Sequence, residues 1–241
     1  MAGEVLKLRF AAMVPAIVCL GAAVLGGTRV STADARDARS TLAGLVELLG
    51  RDGKRSPAAN TVVWIPGIAP EDAGGAPVMA SKDKRFAPHV LAVAAGTEVS
   101  FPNVDPIFHN VFSLSPENRF DLGLYRKGAA KSVHMVSPGL VRVFCNIHAD
   151  MAAFVMVLDH AAFTVTGPDG RYRFASVPAG AHVVHVWNER AANQERAITI
   201  EADAASPHAD FVLDASTFKA QSHKNKFGRE YPPVNKDVDR Y

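Results

Sequence analysis

VRVFCNIHADMAAFVMV, residues 141–157, sets a short loop between two runs of strand-forming residues. Val141 to Phe144 and Ala153 to Leu158 are rich in Val and Phe, and Phe154, Met156 and Leu158 share the parity of one strand face. The loop itself carries Cys145, His148 and Met151 at C-x-x-H-x-x-M spacing. Upstream, VSFPNVDPIFHNVFSLS (residues 99–115) supplies His109 directly before a further strand candidate, Val111 to Leu114. The same signature recurs outward in both directions. Candidates are Thr61 to Ile65, His89 to Val93, Glu98 to Phe101, Ser132 to Val136, Phe163 to Thr166, Arg171 to Phe174, His182 to Trp187, Ala197 to Ile200 and Phe211 to Leu213. No long stretch beyond the first 35 residues sustains a helical period. The expected fold class is all-β, built as sandwiches.

The chemistry-bearing set is His109, Cys145, His148 and Met151. Two imidazoles, one thiolate and one thioether form the ligand set of a blue-copper electron-transfer site. Soft sulfur donors favour Cu(I), imidazoles serve both oxidation states, and a strand framework limits rearrangement when the electron moves. A binuclear copper centre needs two cysteines close together, a multicopper oxidase flanks its cysteine with histidines, and zinc prefers sites without a thioether. Here Cys145 lies between Phe144 and Asn146, with Met151 nearby. The remaining histidines, His89, His134, His160, His182, His185, His208 and His223, read as surface or half-buried residues, and Met135 and Met156 as core. His89 is left outside the ligand set, since nothing in its spacing decides its place.

These residues resemble the cupredoxin family, and the C-x-x-H-x-x-M loop is similar to that of amicyanin rather than to the longer loops of plastocyanin or azurin. The stretch from KDKRFAPHVLAV through HNVFSLS to CNIHADM further resembles periplasmic cupredoxin-like proteins labelled as methylamine-utilisation proteins. The resemblance implies a Greek-key β-sandwich over residues 77–159 and one type 1 copper. His109 and His148 would be imidazole ligands, Cys145 the thiolate and Met151 the weak axial donor. It also implies that the Asn110 amide hydrogen-bonds the cysteine sulfur, that the Asn110 side chain ties the His109 and Cys145 loops together, and that electrons leave by the His148 edge. One departure is Ala149-Asp150, which replaces a Pro-aromatic pair and puts a charge beside the loop.

Two Asp-Gly pairs, Asp52-Gly53 and Asp169-Gly170, are expected to make tight hairpins. The stretch VTGPDGRYRFASVPAGAHVVHVW (165–187) resembles the carboxypeptidase regulatory-like, or transthyretin-like, β-sandwich. The first strand and hairpin of that family look like GLVELLGRDGKRSPAANTVVWIPG (44–67), about a hundred residues earlier. Residues 40–75 with 160–215 are therefore expected to form a second small sandwich, with the copper domain inserted. Two consecutive domains are the competing arrangement.

The chain has 241 residues, 48% of them hydrophobic, and 26 Lys+Arg against 24 Asp+Glu. That composition is globular, gives no broad basic field for nucleic acid, and with two cysteines excludes a disulfide scaffold. Residues 1–35 read as an export signal: Lys7 and Arg9, an apolar run from Phe10 to Leu25, and Ala33-Asp34-Ala35 as the cleavage site. A retained membrane anchor is the alternative, and cleavage implies a periplasmic chain without stable membrane insertion. Removal of Cys19 would leave Cys145 as the lone thiol in an oxidising compartment, where burial or metal must protect it. Residues 216–241 form a basic polar tail, read as draped over the domains or else as a docking arm.

The functional expectation is an electron carrier, not an enzyme, working between redox proteins such as c-type cytochromes or a dehydrogenase. Copper delivery, a red-copper redox enzyme with the same ligands, and a metal-free binding module are the other readings.

Overall fold

The computed structural model describes residues 38–70, 75–201, 207–220 and 223–231. The expected export segment, with Cys19, lies outside the described residues. Among the described residues no helix is long and apolar enough to cross a membrane.

The chain opens with β1 (Arg39–Leu49), β2 (Arg55–Pro57) and β3 (Val62–Pro66). A central group follows: β4 (Ala80–Lys82), β5 (Arg85–Ala87), β6 (Val90–Ala94), β7 (Thr97–Pro102), β8 (His109–Ser113), β9 (Phe120–Tyr125), β10 (Ala130–Met135), β11 (Gly139–Phe144) and β12 (Ala152–Leu158). The last group is β13 (Ala161–Val165), β14 (Arg171–Pro178), β15 (Gly180–Trp187), β16 (Gln194–Ile200) and β17 (Phe211–Asp214). The architecture is all-β, as the alternation of apolar and polar residues requires.

The first and last groups share sheets. β1 lies between β14, antiparallel, and β17, parallel, with β2 also paired to it. The facing sheet runs β13-β3-β15-β16. Along β1 every second residue from Leu42 to Leu48 is buried, and Leu42, Val46 and Leu48 meet Val63, Ile65, Phe174, Val184, Val186, Phe211 and Leu213 in one core. The central group builds its own core. Its larger sheet runs β6-β12-β11-β8-β9, with β6 parallel to β12, and the opposing layer is the β7-β10 pair with the β4-β5 hairpin alongside. Val99, Phe101, Met135, Val141, Val143, Val155 and Val157 fill the space between them.

Strand β12 is buried on both faces. Ala153, Val155 and Val157 point into the central core, whereas Met156 and Leu158, with Phe154, pack against Val62, Ala161 and Trp187. Because side chains alternate along a strand, one strand thereby cements two cores. At the edge of this seam, Phe154 meets Trp187 edge-on at 5.3 Å and His89 at 5.5 Å, and His89 Nε2 lies 2.9 Å from Glu189 Oε1.

Both Asp-Gly pairs turn the chain, but neither as a two-residue hairpin. Asp52-Gly53 sits in a longer loop between β1 and β2. At Asp169-Gly170 the Gly170 amide donates to the Gly167 carbonyl at 3.0 Å, yet β13 and β14 belong to different sheets, so the turn is a corner. Gly170 takes φ +73°, and a Cβ there would run into the Val46 carbonyl. The two-residue turn is instead Asp83-Lys84, both at φ 54°, joining β4 to β5.

Hydrogen bonding to Glu189 raises the His89 pKa against the opposing effect of burial. A raised folded-state pKa contributes stability that is complete below the unfolded value of about 6.5 and is lost as pH rises through the folded one. Glu189→Gln should therefore lower the melting temperature relative to the wild type at about pH 6 and make little difference at about pH 9. A pH-independent difference in thermal melts would exclude this ion pair as a contributor.

Candidate metal centre

Strands β11 and β12 end in register at Phe144 and Ala152, so the loop between them begins at Cys145 and ends at Met151. The Cys145 amide donates to the Met151 carbonyl at 3.1 Å and the Met151 amide to the His148 carbonyl at 3.2 Å, which closes the loop on itself. Cys145 continues the inward row of Val141 and Val143, and Met151 that of Ala153 and Val155. Both side chains are thus delivered to the end of the central core, Cys145 at 0% exposure and Met151 at 1%.

His109 arrives from the other direction as the first residue of β8, also at 0% exposure. The segment before it is held by buried Asn103, whose Nδ2 donates to the carbonyls of Ile107 at 2.8 Å and Tyr125 at 3.0 Å and whose Oδ1 accepts from the Asp105 amide at 3.0 Å. Asp105 is the pivot of this corner. Its Oδ1 accepts from the Asp83 amide at 2.7 Å, and its Oδ2 accepts from the Lys84 amide at 2.9 Å and meets His109 Nε2 at 2.8 Å. Burial works against the carboxylate, but the Lys84 and Asp83 amides and then His109 keep its pKa below the usual range. A carboxylate acceptor at Nε2 fixes the proton there and leaves the Nδ1 lone pair facing inward.

The sulfur of Cys145 lies 3.9 Å from His109 Nδ1 and 3.5 Å from His148 Nδ1, and the two rings are 4.8 Å apart at 49°. The three ligand atoms all fall within 4.8 Å of one another, and this is the group of its kind among the described residues. Burial pushes the thiol pKa up, while main-chain amides of Asn110, Ile147 and His148 point at the sulfur and pull the other way. Those amides would stabilise a thiolate if a cation removed the proton. A buried sulfur with two imidazoles, one of them oriented by a carboxylate, is a donor set that fits copper.

The Asn110 amide is among those that point at the sulfur, while its side chain turns elsewhere. Its Nδ2 donates to Asp121 Oδ1 on β9 at 2.7 Å, across an irregularity in the β8–β9 pairing between Asn110 and Phe112. The side chain therefore ties the His109 strand to β9 and not to the Cys145 loop. His89 is occupied by Glu189 and Phe154 at the seam between the cores. Asp105, Asn103 and Asp121 escaped the sequence reading. Asp105 stands four residues before His109, but its role depends on a turn some twenty residues upstream.

No family model matches the chain, and no curated protein matches it. Among solved structures it is similar to the copper-containing nitrite reductase NirK of Thermus scotoductus SA-01, at 21% identity over 37% of this chain and 25% of that one, with a TM-score of 0.33. It is also similar to a mutant amicyanin in the Cu(I) form, at 23% identity over 40% of this chain and 98% of that one, with a TM-score of 0.33. A third likeness is to a purple cupredoxin from Nitrosopumilus maritimus, at 18% identity over 34% of this chain and 99% of that one, with a TM-score of 0.31. The chain thus spans about a quarter of the nitrite reductase and nearly all of the two small cupredoxins. The architecture itself is all-β, with strands gathered into packed sheets.

Proposed function

We propose that the chain is an exported, periplasmic type 1 copper protein that carries single electrons between redox proteins, such as c-type cytochromes or a dehydrogenase. The observation that carries this reading is the fully buried Cys145 thiol with an imidazole nitrogen of His109 and one of His148 beside its sulfur. His109, Cys145 and His148 would hold the metal in a trigonal set, with Met151 as the weak axial donor from the far end of the same loop. Copper held there supplies a one-electron couple between Cu(II) and Cu(I).

The protein's part is to keep that set from moving. Asp105 orients His109, the Asn110 amide addresses the Cys145 sulfur, and the closed loop spaces Cys145 from Met151. His109, Cys145 and Met151 are thus each fixed by a partner that does not itself change with oxidation state, and a small rearrangement makes for a low barrier to electron transfer. His148 is half-buried where Cys145 and His109 are sealed, which makes its edge the shortest way out for an electron.

Loaded with Cu(II), the full chain should show an intense blue charge-transfer band that bleaches with reductant and returns on reoxidation. Cys145→Ala should abolish that band in the visible spectrum, and a band that survives would overturn the assignment of the thiolate. A pale wild-type spectrum would overturn the carrier reading in favour of copper handling. Met151→Leu should retain copper and raise the reduction potential, because exchanging a weak donor for an apolar side chain favours the lower charge of Cu(I). An unchanged potential in protein-film voltammetry would remove Met151 from the axial position.

A further inference from the structure

Residues 216–241 read in sequence as a polar tail, yet its described segment 223–231 forms a defined turn. Asn225 organises it: its Oδ1 accepts from the Phe227 and Arg229 amides, each at 3.0 Å. Its main chain exchanges hydrogen bonds with Gly228 and Arg229, each at 2.9 Å, with Gly228 at φ +74°. These hydrogen bonds within the turn hold its backbone in one shape.

What it meets is the ligand loop. The Tyr231 hydroxyl donates to the Cys145 carbonyl at 2.6 Å. The Lys226 amide donates to Asn146 Oδ1 at 3.0 Å, one residue further along. The His223 ring stacks on Phe144, the residue before Cys145, at 4.4 Å and 27°, and its Nε2 is sealed from solvent beside the main chain of Met151. The Lys226 ammonium also reaches Asp121 Oδ2 at 2.6 Å, and the other oxygen of that carboxylate accepts from Asn110 Nδ2 at 2.7 Å. Lys226 is therefore bonded on one side to the neighbour of Cys145 and on the other, through Asp121, to the neighbour of His109.

We propose that residues 223–231 are part of the metal centre, with Tyr231, Lys226 and His223 as positioning residues that clamp the Cys145–Met151 loop and the His109 strand from outside the sandwich. The inference rests on the copper reading above and extends it to residues some eighty positions away in sequence. The clamp touches Phe144, the Cys145 carbonyl, Asn146, Asp121 and the main chain of Met151. Its contribution is to resist opening of the loop, which is the motion that releases metal and the motion that oxidation and reduction would otherwise provoke. A docking arm, free to leave for a partner, would leave the copper indifferent to its loss.

The test uses the full chain loaded with copper, in wild-type form and as Tyr231→Phe, Lys226→Met and Lys226→Arg. Three quantities are read: the rate at which bicinchoninate strips copper from the reduced protein, the reduction potential, and the melting temperature of the apoprotein. Partners that orient metal ligands are typically worth about 10- to 100-fold in metal affinity. Tyr231→Phe and Lys226→Met should each speed stripping by roughly tenfold and shift the potential, while the apoprotein melts close to wild type. Lys226→Arg, which can still reach Asp121, should restore most of the loss. A blue wild-type protein whose stripping rate and potential are the same in all variants would overturn the clamp alone. A wild-type chain without the blue band would overturn the copper reading and the clamp with it.

Discussion

The constraint on which the rest of the molecule depends is the closure of the β11–β12 loop by the main-chain hydrogen bond from Cys145 to Met151. It makes the two loop ends face each other, so that the inward rows of both strands terminate in sulfur at the same end of the core. A thiol there has no water to solvate its anion, and burial keeps it protonated until a cation and the surrounding amides compensate. The two imidazoles, one from the same loop and one from the start of β8, complete a set whose positions are inherited from strands. Moving Cys145, Met151 or His109 would require moving a hydrogen-bonded strand end, which is how a sandwich would impose a geometry on a bound metal instead of accepting one.

The second source of rigidity is charge held outside the candidate ligand set. Asp105 accepts one turn amide on each oxygen and meets His109 with the oxygen that takes Lys84, so the Asp83-Lys84 turn and the histidine fix each other. Asp121 does the same on the opposite side, between Asn110 and Lys226. In both places a single carboxylate is shared by a ligand-bearing strand and a turn from elsewhere, and in each burial pushes the pKa up but the donors together outweigh it and hold it below the usual range.

Much of this was legible in sequence because its signal was local. The Val and Phe alternation of β11 and β12 and the spacing of Cys145, His148 and Met151 lie within seventeen consecutive residues, and they suffice for the strands, the loop and three of the four candidate ligands. β1 was harder. Its Leu-rich run with Gly44 has weak strand propensity, and it reads as a strand only through its resemblance to the opening of a regulatory-like sandwich. β9, carrying Asp121 and Gly123, and the charged β4–β5 hairpin gave no period to read. Asp169-Gly170 announced a turn correctly but could not announce that its flanking strands find partners in different sheets. Asp105, Asp121 and Tyr231 were invisible for the same reason: each acts on a partner brought near only by the completed fold.

The most direct measurement is X-ray absorption at the copper edge on the loaded full chain, in both oxidation states. The account predicts one sulfur and two imidazole nitrogens close to the metal in Cu(II), and the same set with little change of distance in Cu(I). A coordination sphere without sulfur, or one that rearranges between the two states, would contradict it.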